Sequence, residues 1–283
     1  METTATSIMQ YLDLQPDSVD YLCRVVCSVS AETLCNTLNG LLRSEDYETV
    51  SSASHFVRDL VLFGSRHSGC KQFVQRYPES SIVSTLEQNL FSPNHFIRKN
   101  AIYTLGKTGS YSSVTALNRA FSTLRDTDPI LLPRLIGEVG WLGGENLWSL
   151  LDSMMSSAAY TTRWAVLPVL NEFSGDDART QDKLFKRKLN CVEQLRQDEK
   201  DLIRTEAEYE YQVLKFRSES YTLLRTERKK LRKALERQYK PEFWFRNMSS
   251  MFANYMYKTG TMQYSVGEFE AFISNIAQAP PIT

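Results

Sequence analysis

Apolar residues recur along this chain with a helical period, and between about residues 80 and 175 the recurrence itself repeats. Ala101, Ile102 and Leu105 align with Leu135, Ile136 and Val139, and again with Val166, Leu167 and Leu170. That is one apolar helix face used three times. Ahead of it, Val83, Leu86 and Leu90 align with Val114, Leu117 and Phe121, then with Trp148, Leu151 and Met155. Each unit therefore reads as a pair of amphipathic helices, with successive units roughly 31–34 residues apart. The middle unit carries a longer turn at residues 124–129, and His55-Phe56-Val57-Arg58 echoes His95-Phe96-Ile97-Arg98 as a fainter upstream copy. One helix pair cannot cover its own apolar face, whereas stacked pairs bury a continuous core, so residues 17–175 are expected to form a short α-solenoid.

The flanks read as helix too. Residues 1–16 are a lead-in ending at Pro16. Asp17 or Ser18 can cap a helix carrying Leu22, Val25 and Val26, and Ser30 can cap another carrying Leu34, Leu38, Leu41 and Leu42. Pro168 falls inside the second helix of the last repeat, which predicts a kink or an early break there. No glycine or proline occurs between Gly175 and Pro241, so residues 176–240 are expected as a long charged helix or a helical hairpin. Unbroken, such a helix is a rod of roughly 90 Å. A seven-residue ladder of Leu195, Leu202, Tyr209, Phe216 and Leu223 runs along it. The companion positions Glu199, Glu206, Val213, Ser220 and Glu227 are mostly polar. That favours one narrow stripe laid on the solenoid or on a partner over a self-paired coiled coil. Residues 241–283 form an aromatic-rich segment in which Ser265 and Glu268 make a capping box for a short helix. The fold class expected is all-α.

The residues Ile97-Arg98, Ala101, Leu105-Gly106 and Gly109 resemble HEAT-like repeats, in particular the short repeats of phycobilisome lyases. Arg163 falls in register with Arg98, whereas the middle unit has Leu132 there. The resemblance implies a helical-repeat fold. It leaves function open, because such repeats serve as scaffolds, chromophore lyases and nucleic-acid binders. A bilin-lyase-like or chaperone-like protein is one alternative it brings with it.

Charge adds little. The chain has 33 basic and 33 acidic residues, and a pI near 6.8. No global field therefore points to nucleic acid or membrane. The five cysteines, Cys23, Cys27, Cys35, Cys70 and Cys191, are odd in number and scattered. They read as reduced thiols, and the protein as cytoplasmic. The start lacks the pattern of a signal peptide, and no stretch approaches the roughly 20 apolar residues of a membrane span.

Three features can carry binding. The aromatic and methionine cluster of Phe243, Trp244, Phe245, Met248, Met251, Phe252, Tyr255, Met256 and Tyr257 is either core or a partner site, since these side chains serve both. The basic run with Arg225, Arg228, Lys229, Lys230, Arg232, Lys233, Arg237 and Lys240 can face phosphates or an acidic protein, or be a solvated helix face. Its acidic counterpart upstream, from Glu193 to Glu210, favours a hairpin or antiparallel pairing with a second copy over nucleic acid. Arg98 and Arg163 either line a concave ligand face or bridge neighbouring repeats through carboxylates such as Glu138 or Glu172.

Catalysis and metal binding find little support. His55 and His95 occupy equivalent repeat positions, as a structural slot does. His67 and Cys70 have HxxC spacing without a second ligand pair, and Cys23 and Cys27 share one helix face as small buried residues do. Phosphate-loop and nucleophile-elbow motifs are missing. The expectation is a non-catalytic adaptor or assembly factor without cofactor. It would bind protein partners through the solenoid and the C-terminal arm, and a second copy can pair through residues 176–240.

Overall fold

The helical periodicity is realised in the computed structural model, which describes residues 4–11, 18–64, 66–109, 111–143, 147–172, 183–219, 225–239 and 241–278. Among these residues there is no strand, and no helix is long and apolar enough to cross a membrane. The chain forms two compact units, one of residues Met1–Ser122 with Glu138–Glu145, the other of Thr123–Gly137 with Asn146–Thr283.

The first unit holds α1 (Thr4–Gln10), α2 (Ser18–Cys27), α3 (Ala31–Leu42), α4 (Tyr47–Gly64), α5 (Lys71–Arg76), α6 (Ser81–Asn89) and α7 (His95–Thr108). Ser30 starts α3, its hydroxyl accepting the Thr33 N–H. Asp46 starts α4 by accepting the Thr49 N–H. Asn94 starts α7 by accepting from Phe96 and Ile97. Each cap satisfies an orphan donor of the first turn.

α4 is the hub. It packs against α1, α2, α3, α5 and α7, burying Val50, Ala53, Phe56, Val57 and Leu60. Ser51, Ser52 and Ser54 are buried on the same helix; small residues there let neighbouring backbones come close. α3 packs on α4 and α6 on α7, while α3 also packs on α6 and α4 on α7. Two helix pairs thus lie side by side, first helix on first and second on second. The faint His-Phe-x-Arg echo marks this relation, since one copy sits in α4 and the other in α7. Polar side chains tie the first helices: Asn39 donates to Ser81 at 2.6 Å, Thr85 donates to Asn39 at 2.9 Å, and Asn89 donates to the Leu42 carbonyl.

The second unit holds α10 (Leu147–Met155), α11 (Tyr160–Trp164), α12 (Val166–Glu172), α13 (Lys183–Leu195), α14 (Asp201–Glu219), α15 (Arg225–Glu236), α16 (Phe245–Thr259) and α17 (Val266–Gln278). Before these come α8 (Tyr111–Leu124) and α9 (Leu132–Trp141). The break between α11 and α12 lies where Pro168 demands it. Proline has no N–H for the carbonyl four residues back, which is that of Trp164, the last residue of α11.

Of the two forms expected over residues 176–240, a single unbroken rod is not the one seen among the described residues. The described part is three helices of 13, 19 and 12 residues, with α13 packed on α14. The buried positions of α14 are Ile203, Glu206, Ala207, Tyr209, Val213 and Leu214. Their spacing near 3.6 is that of an ordinary packing face, so α14 is spent inside its own unit and the seven-residue ladder is no free coiled-coil seam. Leu223 lies outside the described residues.

Gly106 on α7 shows how tight the first unit is. A side chain there would overlap Glu138, which is buried and sits 3.6 Å from the Lys107 ammonium. Gly106→Ala is therefore expected to destabilise the protein by roughly 1–3 kcal/mol through overpacking, read as a lowered urea midpoint.

Candidate functional site: a braced frame and an exposed aromatic ridge

Arg98 and Arg163, which share a register, have the same task. The Arg98 guanidinium donates to the Ser92 and Pro93 carbonyls at 2.6 and 2.8 Å, six and five residues upstream. Arg163 does the same to Ser157 and Ala158, at 2.8 and 3.1 Å. The loop ahead of each helix is held by the cation one turn into it. Arg163 goes further, placing Nε 2.7 Å from Asp198 Oδ2 and Nη2 3.2 Å from both Asp198 Oδ1 and Glu199. Arg163 therefore bridges neighbouring loops through carboxylates, those of Asp198 and Glu199; the side chain of Glu172 lies outside the described residues. Burial pushes the Asp198 carboxyl up, yet the hydrogen bonds from Arg163 and the Lys200 N–H, with the charges of Arg163 and Arg204, outweigh it and hold Asp198 below its ordinary value.

A third arginine repeats the pattern. Arg204 donates to the carbonyls of Asp198 and Glu199, again six and five residues upstream, at 2.8 and 2.9 Å. Ile203-Arg204-x-x-Ala207 matches Ile97-Arg98-x-x-Ala101, with both apolar members buried in each case. The signal was present in the sequence, masked by the uninterrupted charge of residues 176–240.

Between α11, α14 and α16 lies a buried acid. Glu206 is 5% exposed, and its Oε2 accepts the indole N–H of Trp164 and, at 2.8 Å, the backbone N–H of Phe245. Trp244, at the N-cap of α16, offers no side-chain cap, so a carboxyl from another helix satisfies the first residue of α16. Burial is the dominant influence and pushes Glu206 up to about 8; the two hydrogen bonds pull the other way, Glu210 adds to the rise and Arg246 opposes it.

With its start fixed, α16 divides the aromatic cluster. Phe245, Met248, Phe252 and Met256 face inward. Phe245 lies edge-on to Trp164 with centroids 5.5 Å apart, and Phe252 packs among Tyr264, Phe269 and Phe272. Phe245 and Phe252 are thus core and no part of a partner surface, the first of the two roles open to the cluster: their positions fall on the face that α16 buries. Phe243 and Trp244 are half-buried, with Trp244 at 4.3 Å from the Tyr209 ring. Met251, Tyr255 and Tyr257 face outward, 42%, 51% and 53% exposed. Tyr255 lies along Phe252 and Phe272, so it is exposed on one side and supported on the other.

On α15, Lys229, Lys230, Lys233 and Leu231 are exposed; the side chains of Arg228 and Arg232 lie outside the described residues. Several of the acids upstream are paired within their own stretch or with α11. Asp198 and Glu199 are taken up by Arg163, Asp201 by Arg204 and Glu208 by Arg196. His55 is bonded through Nδ1 to the Ser51 carbonyl, and His95 is buried. Among the described residues no group of three metal-ligating side chains is arranged to hold an ion.

No family model matches this chain, and no curated protein does. Among solved structures it is similar to two crystallised engineered proteins, at 14% and 12% identity. Both cover 76% of this chain and 98% or 99% of their own, with a TM-score of 0.36.

Two outcomes follow from the geometry. Arg163→Ala leaves Asp198, 6% exposed, without its main cation; a loss on the order of 3 kcal/mol is expected in denaturant unfolding. For Glu206, the folded value of about 8 lies above the ordinary 4.5, so between these values the folded state holds a proton that the unfolded state has released. Its contribution is full at pH below the ordinary value and is lost as pH rises through the folded one, by up to about 1.4 kcal/mol per pH unit. Glu206→Gln, a neutral isostere, should flatten unfolding midpoints measured between about pH 5 and 8 and exceed the wild type at the upper end.

Proposed function

We propose that this chain is a non-catalytic helical-repeat adaptor of HEAT-like design that holds a protein partner on the outward ridge of α16. The observation that carries the reading is the division of α16 into an anchored inner face and an exposed flank on which Met251 and Tyr255 lie one turn apart. Rigid, supported aromatics and methionines lose little freedom on binding, and such residues dominate interface energetics. The repeated arginine braces support the repeat design, as does the side-by-side packing of the pairs α3–α4 and α6–α7. Lys229, Lys230 and Lys233 on α15 add a cationic surface in the same unit, which suits a partner with an acidic margin and speeds encounter at low salt.

Because residues 245–273 supply core side chains, removing them would test folding rather than binding. The sharper experiment uses the full chain with Met251→Glu and Tyr255→Glu in affinity purification from native extract, with quantitative mass spectrometry. A stoichiometric protein recovered with the wild type should fall at least roughly tenfold with the double variant, consistent with the loss of a hot spot. Undiminished recovery of that protein would sink the assignment of the ridge.

A further inference from the structure

The first unit gathers three of the five cysteines at one place. Cys23 and Cys27 lie one turn apart on α2, and Cys70 lies immediately before α5. The Cys70 thiol points at Cys23 Sγ, 3.4 Å away. Cys27 Sγ fills the space a side chain on Gly69 would need, so the third sulfur rests on the residue next to Cys70. Access is graded across the cluster, for Cys27 is exposed, Cys23 half-buried and Cys70 fully buried. The two that point at each other come from segments that both pack on α4.

We propose that Cys23 and Cys70 form a reversible dithiol–disulfide pair that small-molecule disulfides of the glutathione class oxidise, clamping α2 to the segment entering α5. The half-buried Cys23 reacts first. Its thiolate attacks one sulfur of the glutathione disulfide, forming a mixed disulfide and releasing one glutathione thiolate. The Cys70 thiolate then attacks the Cys23 sulfur, forming the protein disulfide and releasing the second. Two protein thiols lose two electrons, one glutathione disulfide gains them, and the two thiol protons end on the two glutathione molecules. Facing sulfurs need little backbone movement to meet, whereas Cys23 and Cys27 project from consecutive turns of a single helix, where a bond would constrain nothing beyond that helix.

The second step has a signature. Burial, then the hydrogen bond and charge of Cys23, push the Cys70 thiol up to about 12. Only its thiolate attacks, and burial, the largest of these causes, persists once Cys23 is bonded to glutathione, so closure is expected to keep accelerating with pH beyond the ordinary thiol value. A bond formed by a freely exposed thiol would level off near the ordinary thiol value instead.

The test incubates the full-length protein with glutathione disulfide, then denatures it and alkylates the remaining thiols. The expected result is a fall from five alkylated cysteines to three, a mass loss of about 2 Da before alkylation, and a Cys23–Cys70 linked peptide in a non-reducing digest. Cys27→Ser should keep this linkage, and Cys23→Ser should abolish it while leaving the reduced protein's circular dichroism unchanged. Five alkylated cysteines, glutathione retained on the protein, or a linked peptide containing Cys27 would each overturn the pairing.

Discussion

A guanidinium that reaches back over the loop in front of its own helix is the interaction on which this architecture turns. Every junction between helices leaves carbonyl groups of the turn without partners, and such groups are costly when neighbouring helices close over them. Arg98, Arg163 and Arg204 each answer two carbonyls at once. Arg163 adds two carboxylates from the following loop, so a single side chain fixes the shape of one loop and the position of the next.

Glu206 extends the same logic to the C-terminal segment. Where the arginines bring positive charge to carbonyls, Glu206 brings an oxygen to two N–H groups, one from an indole and one from the start of α16. The position of α16 follows from that bond and from Phe245 and Phe252 beneath it. Which of its aromatics meet solvent is then a matter of helical phase, and this is how a buried polar contact decides the composition of an outer surface.

Much of this was legible in the sequence. The repeated apolar triads gave helices because burial with period 3.6 is a strong and local signal, and Pro168 broke its helix for a reason contained in proline itself. The division of residues 176–240 was harder to see, because the turn at residues 196–200 contains neither glycine nor proline. It is made by Asp198 accepting the Lys200 N–H and by Arg204 gripping the loop. The roles within the aromatic cluster were likewise hidden. Phe252 and Tyr255 are equally apolar to a composition count, and only the orientation of α16 separates the buried ring from the exposed one. Glu206 looked like one acid in an acidic helix. Its burial depends on Trp164, a residue 42 positions away.

The brace has a consequence for how such a chain can change over time. Arg98, Arg163 and Arg204 bind main-chain oxygen, which every residue possesses. The loops they hold are accordingly unlike one another: Ser92-Pro93, Ser157-Ala158 and Asp198-Glu199. A clasp that ignores side chains releases the clasped segment from any sequence requirement beyond its length. Segments held this way are free to differ letter by letter while their geometry stays put, and the arginine is what they keep in common.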